Sequence, residues 1–457
     1  MAKSRKTPDS PPTPHPNNCD CPICGDDKDF TIPDELLTKI ENGDVVLFAG
    51  AGISTENKRH CAATFYEEIL FDLKISGSIS FPALMTKFCS QPDGRIKLIE
   101  KIKRRFDYFR SFQDFYWYMT RFHRSISPLY MIKDIVTTNW DDFFETECMS
   151  DAIVYDGDVP FLDASPRRII KIHGSIANFG SIVATEQDYK KSYKRLNDGP
   201  LGSHLKSLIA RKTVIYVGYS LSDENYLRML RNISRMTTPH IRQSYIIAPN
   251  IDIAKLKCAP IPLTPIETNG AYFFEKVREQ LDAKGRVVSD TAFEDCRELL
   301  DHAIEIHNDT ADAFASTRHP LLILALSYQD GLIHALKRIL KRRKSGDYHA
   351  PARLDLLIQS YDFKFTQYRK KKDFWNAAYT EGYKNGMMFL LMSYAHKGFD
   401  WPPDISLPFN LNIYTLPMLL RFPRKNIPKP AVKQLKRIDS RLSISGEGTI
   451  PDHTPYV

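Results

Sequence analysis

The chain is 457 residues long, 42% hydrophobic, and carries a formal net charge of +8 at pH 7. At roughly 100–200 residues per domain this leaves room for one α/β core and one further domain. The longest apolar runs, 321–326 and 387–392, fall well short of the ~20 residues of a membrane-spanning helix, so they read as buried helix segments and no membrane role is expected.

Residues 1–31 are rich in Pro, Asp, Asn and Lys with almost no large apolar side chains, which predicts a flexible tail. Lys3, Arg5 and Lys6 run into prolines rather than an apolar core, so no signal peptide is expected and the protein is placed in the cytoplasm. Within the tail, Cys19, Cys21 and Cys24 form C-x-C-x-x-C below His15; they are either a zinc knuckle or metal-free thiols, and no metal site is assigned. Most other cysteines stand alone (Cys61, Cys89, Cys148, Cys258, Cys296), as in an intracellular protein without disulfides.

From residue 32 the pattern becomes short apolar runs alternating with amphipathic stretches, which is α/β grammar. Strands are predicted at 45–48, 134–137, 169–172, 213–217 and 245–248, too short for helices and apolar enough to be parallel strands buried on both faces. Stretches such as 65–73 and 223–235, the second with Leu227, Leu230 and Ile233 on one side, supply crossover helices. This domain is expected to span 32–283. From 284 to 457 the chain reads as a mostly helical domain, with Phe293, Cys296, Leu299, Leu300, Ala303 and Ile304 as one stripe and further helices near 320–343, 352–370 and 374–396. The proline-rich end, from Pro402 onward, reads as irregular. Six of the eight residues from Lys337 to Lys344 are basic, and Arg369, Lys370, Lys371 and Lys372 follow; these runs are either solvated faces or a surface for an acidic or nucleic-acid partner.

Four polar loops follow four predicted strands, where ligands bind in open α/β sheets. The first is Gly50-Ala51-Gly52-Ile53-Ser54, whose glycines let backbone approach a phosphate, although a tight strand-to-helix turn needs glycine in any case. The second is Thr137-Thr138-Asn139-Trp140-Asp141, with an Asx turn as its plainer explanation. His173-Gly174-Ser175 and Gly218-Tyr219-Ser220-Leu221-Ser222-Asp223 are the third and fourth.

The ordered set GAGIS, TTNWD, IHGS and VGYSLSD resembles the sirtuin superfamily, most closely its prokaryotic sirtuin-like defence branch, over roughly 32–282. The resemblance implies a Rossmann-like sirtuin-type parallel sheet that takes NAD as substrate. It assigns Gly50, Ala51, Gly52 and Ser54 to the pyrophosphate and nearby ribose, and Asn139 and Asp141 to the nicotinamide end. It makes His173 the general base, with Asn139 beside it as the second catalytic residue. Gly218 and Ser220 fall on the adenosine side, with Asn250 near the adenine. An imidazole, with an ordinary pKa of ~6.5, suits a base working near neutrality.

Two departures bear on the acceptor. Protein-deacylating sirtuins carry a structural zinc module after the histidine, whereas only Cys258 and Cys296 follow His173 here; and 55–60 lacks the Pro-Asp-Phe-Arg stretch of deacylases. Both favour water as the acceptor, so the expected activity is NAD hydrolysis to ADP-ribose and nicotinamide; the resemblance alone implies the role of an NAD-depleting effector of anti-phage defence. A deacylase or ADP-ribosyltransferase using the same site, and a non-catalytic NAD or ADP-ribose sensor, are the rival readings. What the resemblance further implies is control through the helical domain, by homo-oligomer formation, by a HerA-type ATPase or Argonaute-like partner, or by nucleic acid as trigger.

Overall fold

The computed structural model describes residues 25–54, 63–221, 223–238, 240–395, 400–444, 451–453 and 455. The Cys19, Cys21 and Cys24 cluster and the 55–60 segment lie outside these residues. The chain forms two compact units, Met1–Leu281 and Asp282–Val457.

The first unit is built on a seven-stranded sheet in the order β3-β4-β2-β1-β5-β6-β7, every neighbouring pair parallel. The strands are β1 (Val45–Ala49), β2 (Asp134–Thr137), β3 (Ala152–Ile153), β4 (Arg168–Lys171), β5 (Thr213–Val217), β6 (Ser244–Ala248) and β7 (Leu263–Glu267). Every residue of β1, β2 and β5 is buried, as strands covered by helices on both faces must be. This is the Rossmann-like sheet expected from the sequence, and the five predicted strands stand within one residue of their expected places. The two edge strands were not anticipated: β3 has two residues, and β7 is only partly buried and contains Pro265. Edge strands need no continuous apolar run and tolerate proline, so neither carried the expected signal.

Below the sheet, helices Pro200–Arg211 and Glu224–Thr237 pack Leu201, Leu205, Leu208, Leu230 and Ile233 against Val46, Phe48, Val214 and Tyr216. Each such side chain stabilises the unit by roughly 1.5–3 kcal/mol on full burial. The connection from β1 to β2 is long and holds five helices between Phe65 and Ile126. Its longest, Gly94–Ser111, buries Leu98, Ile102, Phe106 and Phe109 at helical spacing. From β1 the chain crosses to β2 on one side, and from β5 to β6 on the other. The order therefore reverses between β1 and β5, and the crevice above their carboxyl ends is where such sheets take ligands.

The second unit is helical. Helices Leu322–Lys341 and Phe374–Ala395 run backbone to backbone: a Cβ on Gly331 would sit 2.0 Å from the Tyr379 carbonyl, and one on Gly382 1.9 Å from that of Tyr328. The proline-rich end is less irregular than expected, because Leu416–Arg421 and Lys429–Ile444 are helices. Pro417 and Pro430 sit in their first turns, where the missing N–H breaks no helical hydrogen bond and the fixed φ favours a start. Among the described residues no helix is long and apolar enough to cross a membrane.

Candidate functional site

The loops after β1 and β5 are locked together by glycine. Gly50 N–H donates to the Val217 carbonyl at 2.9 Å and Gly52 N–H to the Gly218 carbonyl at 3.0 Å. A Cβ on Gly50 would lie 2.4 Å from Gly218 O, and Gly218 itself has φ +59° with Ile53 N 2.6 Å from where its Cβ would be. The protein's own backbone thus requires these glycines, and the first use of the Gly50 and Gly52 amides is to join the two loops. Past the short turn Ala51–Ile53, Ser54 is fully buried.

The Ser54 hydroxyl meets the loop after β2. Asn139 Nδ2 donates to Ser54 Oγ at 3.4 Å, and Ser54 Oγ donates to Asp141 Oδ2 at 3.3 Å. Asn139 is oriented by its own N–H on Thr137 Oγ1 at 3.0 Å, and Asp141 Oδ1 accepts the Phe143 N–H at 3.2 Å, opening helix Phe143–Cys148. Burial pushes the Asp141 carboxyl up, against the opposing pull of Lys171, the Phe143 amide and Ser54. Lys171, fully buried at the end of β4, donates to the Asp141 carbonyl and pairs with Glu145 at 2.9 Å. Asn139 Oδ1 is buried without a hydrogen-bond partner among the described residues. An acceptor left so carries a desolvation cost of about 1–3 kcal/mol, which a ligand donor would relieve.

His173 follows β4, next to β2 in the sheet, and its carbonyl accepts the Val183 N–H at 2.9 Å as the chain folds back. Gly174, at φ +87°, permits that turn, since a Cβ there would meet Ser181 O at 2.1 Å. The imidazole stands edge-on to Tyr189, ring centroids 5.1 Å apart, and its Nε2 lies 2.9 Å from Asp223 Oδ2. Asp223 comes from the far side of the sheet, past β5. Burial alone would raise its carboxyl, but the hydrogen bond and charge of His173 and the amides of Tyr226 and Asn225 hold it below the ordinary carboxylate range. An ionised Asp223 accepts, so Nε2 carries a hydrogen, and in the neutral ring Nδ1 is then the atom with a lone pair to offer. The nearby Asp223 charge, after burial, also pushes the Tyr189 phenol up.

A shallow, open cleft runs from Gly52 and Ile53 past Gly218 to Pro249, Asn269 and Gly270. Its cation, Arg121, is held by Asp27 at 2.8 Å and Glu275 at 2.7 Å. Of the residues expected on the adenosine side, Gly218 lines this cleft, whereas Ser220 and Asn250 are exposed and do not; Pro249 lines it instead. Asn269 and Gly270 were missed because β7 was missed: they follow its carboxyl end as the other loops follow theirs. Asp223 and Lys171 were also absent from the expected site. Asp223 closes the fourth polar loop in the sequence, but nothing there pointed it at His173.

Residues 133–260 match the family model of the SIR2-like domain. That stretch lies within the parallel-sheet unit and resembles a SIR2-like domain. The chain is also similar to Defense-associated sirtuin 2 of Bacillus subtilis, 23% identical over 230 residues, covering 47% of this chain and 21% of that protein. The chain thus aligns with about a fifth of that relative's length. The match to the SIR2-like domain takes in β2 to β6, and with them Asn139, Asp141, His173 and Asp223.

Proposed function

We propose that the SIR2-like domain hydrolyses NAD to ADP-ribose and nicotinamide and acts as an NAD-depleting effector in anti-phage defence. The observation that carries the reaction is the pairing of His173 with Asp223 in the same domain end as the buried Asn139–Ser54–Asp141 chain. NAD is the substrate, and the fit rests on the cleft beside Gly52 and Gly218 together with the unsatisfied Asn139 Oδ1, an acceptor suited to a carboxamide or hydroxyl donor. The defence role rests on the likeness to a relative named as a defence-associated sirtuin.

Water supplies the hydroxyl: the bond from the sugar C1 to the nicotinamide nitrogen breaks with its electron pair leaving on nicotinamide, and the water oxygen bonds to C1. The proton that water loses goes to His173 Nδ1. Asp223 faces the imidazolium so formed and stabilises it, while the buried Asn139–Ser54–Asp141 chain holds the sugar end of the substrate and keeps bulk water out. A positioned base contributes roughly 10²–10⁴-fold.

The test is nicotinamide release from NAD by the full chain, without any peptide, with His173→Ala and Asn139→Ala alongside. Turnover by the wild type and its loss in both variants are expected. Consumption of NAD only when an acyl-lysine peptide is supplied would replace hydrolysis with deacylation, and wild-type turnover by His173→Ala would remove the histidine from the mechanism.

A further inference from the structure

The basic run from Lys337 to Lys344 is divided by the fold of the second unit. Arg343 is absorbed by packing: its guanidinium pairs with Asp290 at 2.8 Å and Glu294 at 3.0 Å. Arg342 and Arg353, the latter in helix Pro351–Lys370, share the single carboxylate of Asp347 at 3.0 Å and 2.9 Å. Arg338 has no carboxylate partner among the described residues, and its Nε donates to Tyr348 Oη at 3.0 Å. Arg338, Arg342 and Arg353 with Asp347 are the charged groups around a cleft of ≈660 Å³, so three cations against one anion leave a formal +2.

The floor of that cleft is aromatic. Tyr361 stacks on Tyr383 with centroids 4.5 Å apart and planes 22° from parallel, and both Tyr383 and Tyr348 are buried. A solvated basic face has no concave aromatic floor, and a purely structural ion-pair network balances its charges; this cleft does neither. Guanidinium groups fit phosphate oxygens with two parallel hydrogen bonds, and aromatic faces take planar bases by stacking.

We propose that this cleft binds a phosphorylated planar anion of the nucleotide class, phosphates on the arginine rim and base against the Tyr361–Tyr383 pair. The site lies wholly in the second unit and stands apart from the NAD reading of the first.

Calorimetric titration of the full chain with ATP, pyrophosphate and adenosine tests it. ATP binding should weaken at least tenfold in Arg338→Ala/Arg353→Ala and on raising the salt, as screening of exposed charges requires. Adenosine should bind at least tenfold more weakly than ATP, and Tyr361→Ala should weaken ATP while sparing pyrophosphate. Arg338 and Arg353 are exposed, so their replacement removes charge rather than core; Arg338→Gln, with Arg353 intact, repeats the test with less disturbance around Asp347. Because the first unit has a cleft of its own beside Gly52 and Gly218, only the binding phase altered by these variants counts. Superimposable ATP isotherms for wild type and both arginine variants, or no ATP binding by the wild type, would overturn the proposal. Equal losses of ATP and pyrophosphate with no effect of Tyr361→Ala would overturn the nucleotide assignment.

Discussion

Replacing Asp223 by Asn separates positioning from folding. Asp223 Oδ1 caps helix Glu224–Thr237 by accepting the N–H groups of Asn225 at 2.9 Å and Tyr226 at 3.1 Å, while Oδ2 faces His173 Nε2 at 2.9 Å. Asn caps a helix about as well as Asp, so retaining Oδ1 keeps the cap, and stability should change by less than the ~1 kcal/mol that removing a cap costs. The amide nitrogen would then face Nε2 as a donor, forcing the imidazole hydrogen onto Nδ1 and removing the lone pair that takes the water proton. The charge is lost as well: unit charges 2.9 Å apart at an effective dielectric of ~20 interact with about 6 kcal/mol, an upper bound on what the imidazolium would forfeit. At ~1.4 kcal/mol per tenfold this caps the loss at about 10⁴, so a fall in kcat of roughly 10²–10⁴ is expected with KM little changed. The assay is nicotinamide release under saturating NAD, paired with a denaturation curve. Turnover within a factor of ~10 of wild type, in a protein with an unchanged melting curve, would refute the positioning role.

Gly50→Ala should destabilise the protein by ~1–3 kcal/mol in chemical denaturation and slow NAD cleavage, because its Cβ cannot avoid Gly218 O; Gly157→Ala, with open space around it, should do neither, and equal effects at the two positions would contradict this. Lys171→Met leaves the Glu145 carboxylate buried without its cation and should cost ~3–5 kcal/mol, part of which Lys171→Met/Glu145→Gln should recover; a double variant no more stable than the single would count against the pair. Asp188 is held below the ordinary carboxylate range: burial raises it, but the Thr185 and Ala184 amides and Arg95 outweigh that. Its contribution is therefore complete above about pH 4 and lost as the pH falls through its depressed folded value, so the melting gap between wild type and Asp188→Asn should close on acidification. A gap that stays constant from neutrality to acid would show that the Asp188 charge contributes nothing.

The central sheet and the loops that end it are legible in the amino-acid pattern. Strands β1, β2 and β5 are buried on both faces, so each had to be a continuous apolar run, and the polar residues directly after them could only be turns at the ligand end. Where burial is one-sided the signal vanished, as in β7 with Pro265, and with it went Asn269 and Gly270. Prolines misled at Leu416–Arg421 and Lys429–Ile444, since the same residue that breaks a helix interior starts one from its first turn. The contacts of the polar side chains depend on the fold. Ser54 and Asp141 are 87 positions apart in the chain, and His173 and Asp223 belong to loops from opposite sides of the strand-order reversal. The basic run was likewise one feature in sequence but three in space: Arg343 neutralised, Arg342 sharing a carboxylate, and Arg338 left with none among the described residues. Hydrophobic patterning is periodic and local, so a sequence displays it; a hydrogen bond or ion pair depends on which distant atoms the fold brings within about 3 Å.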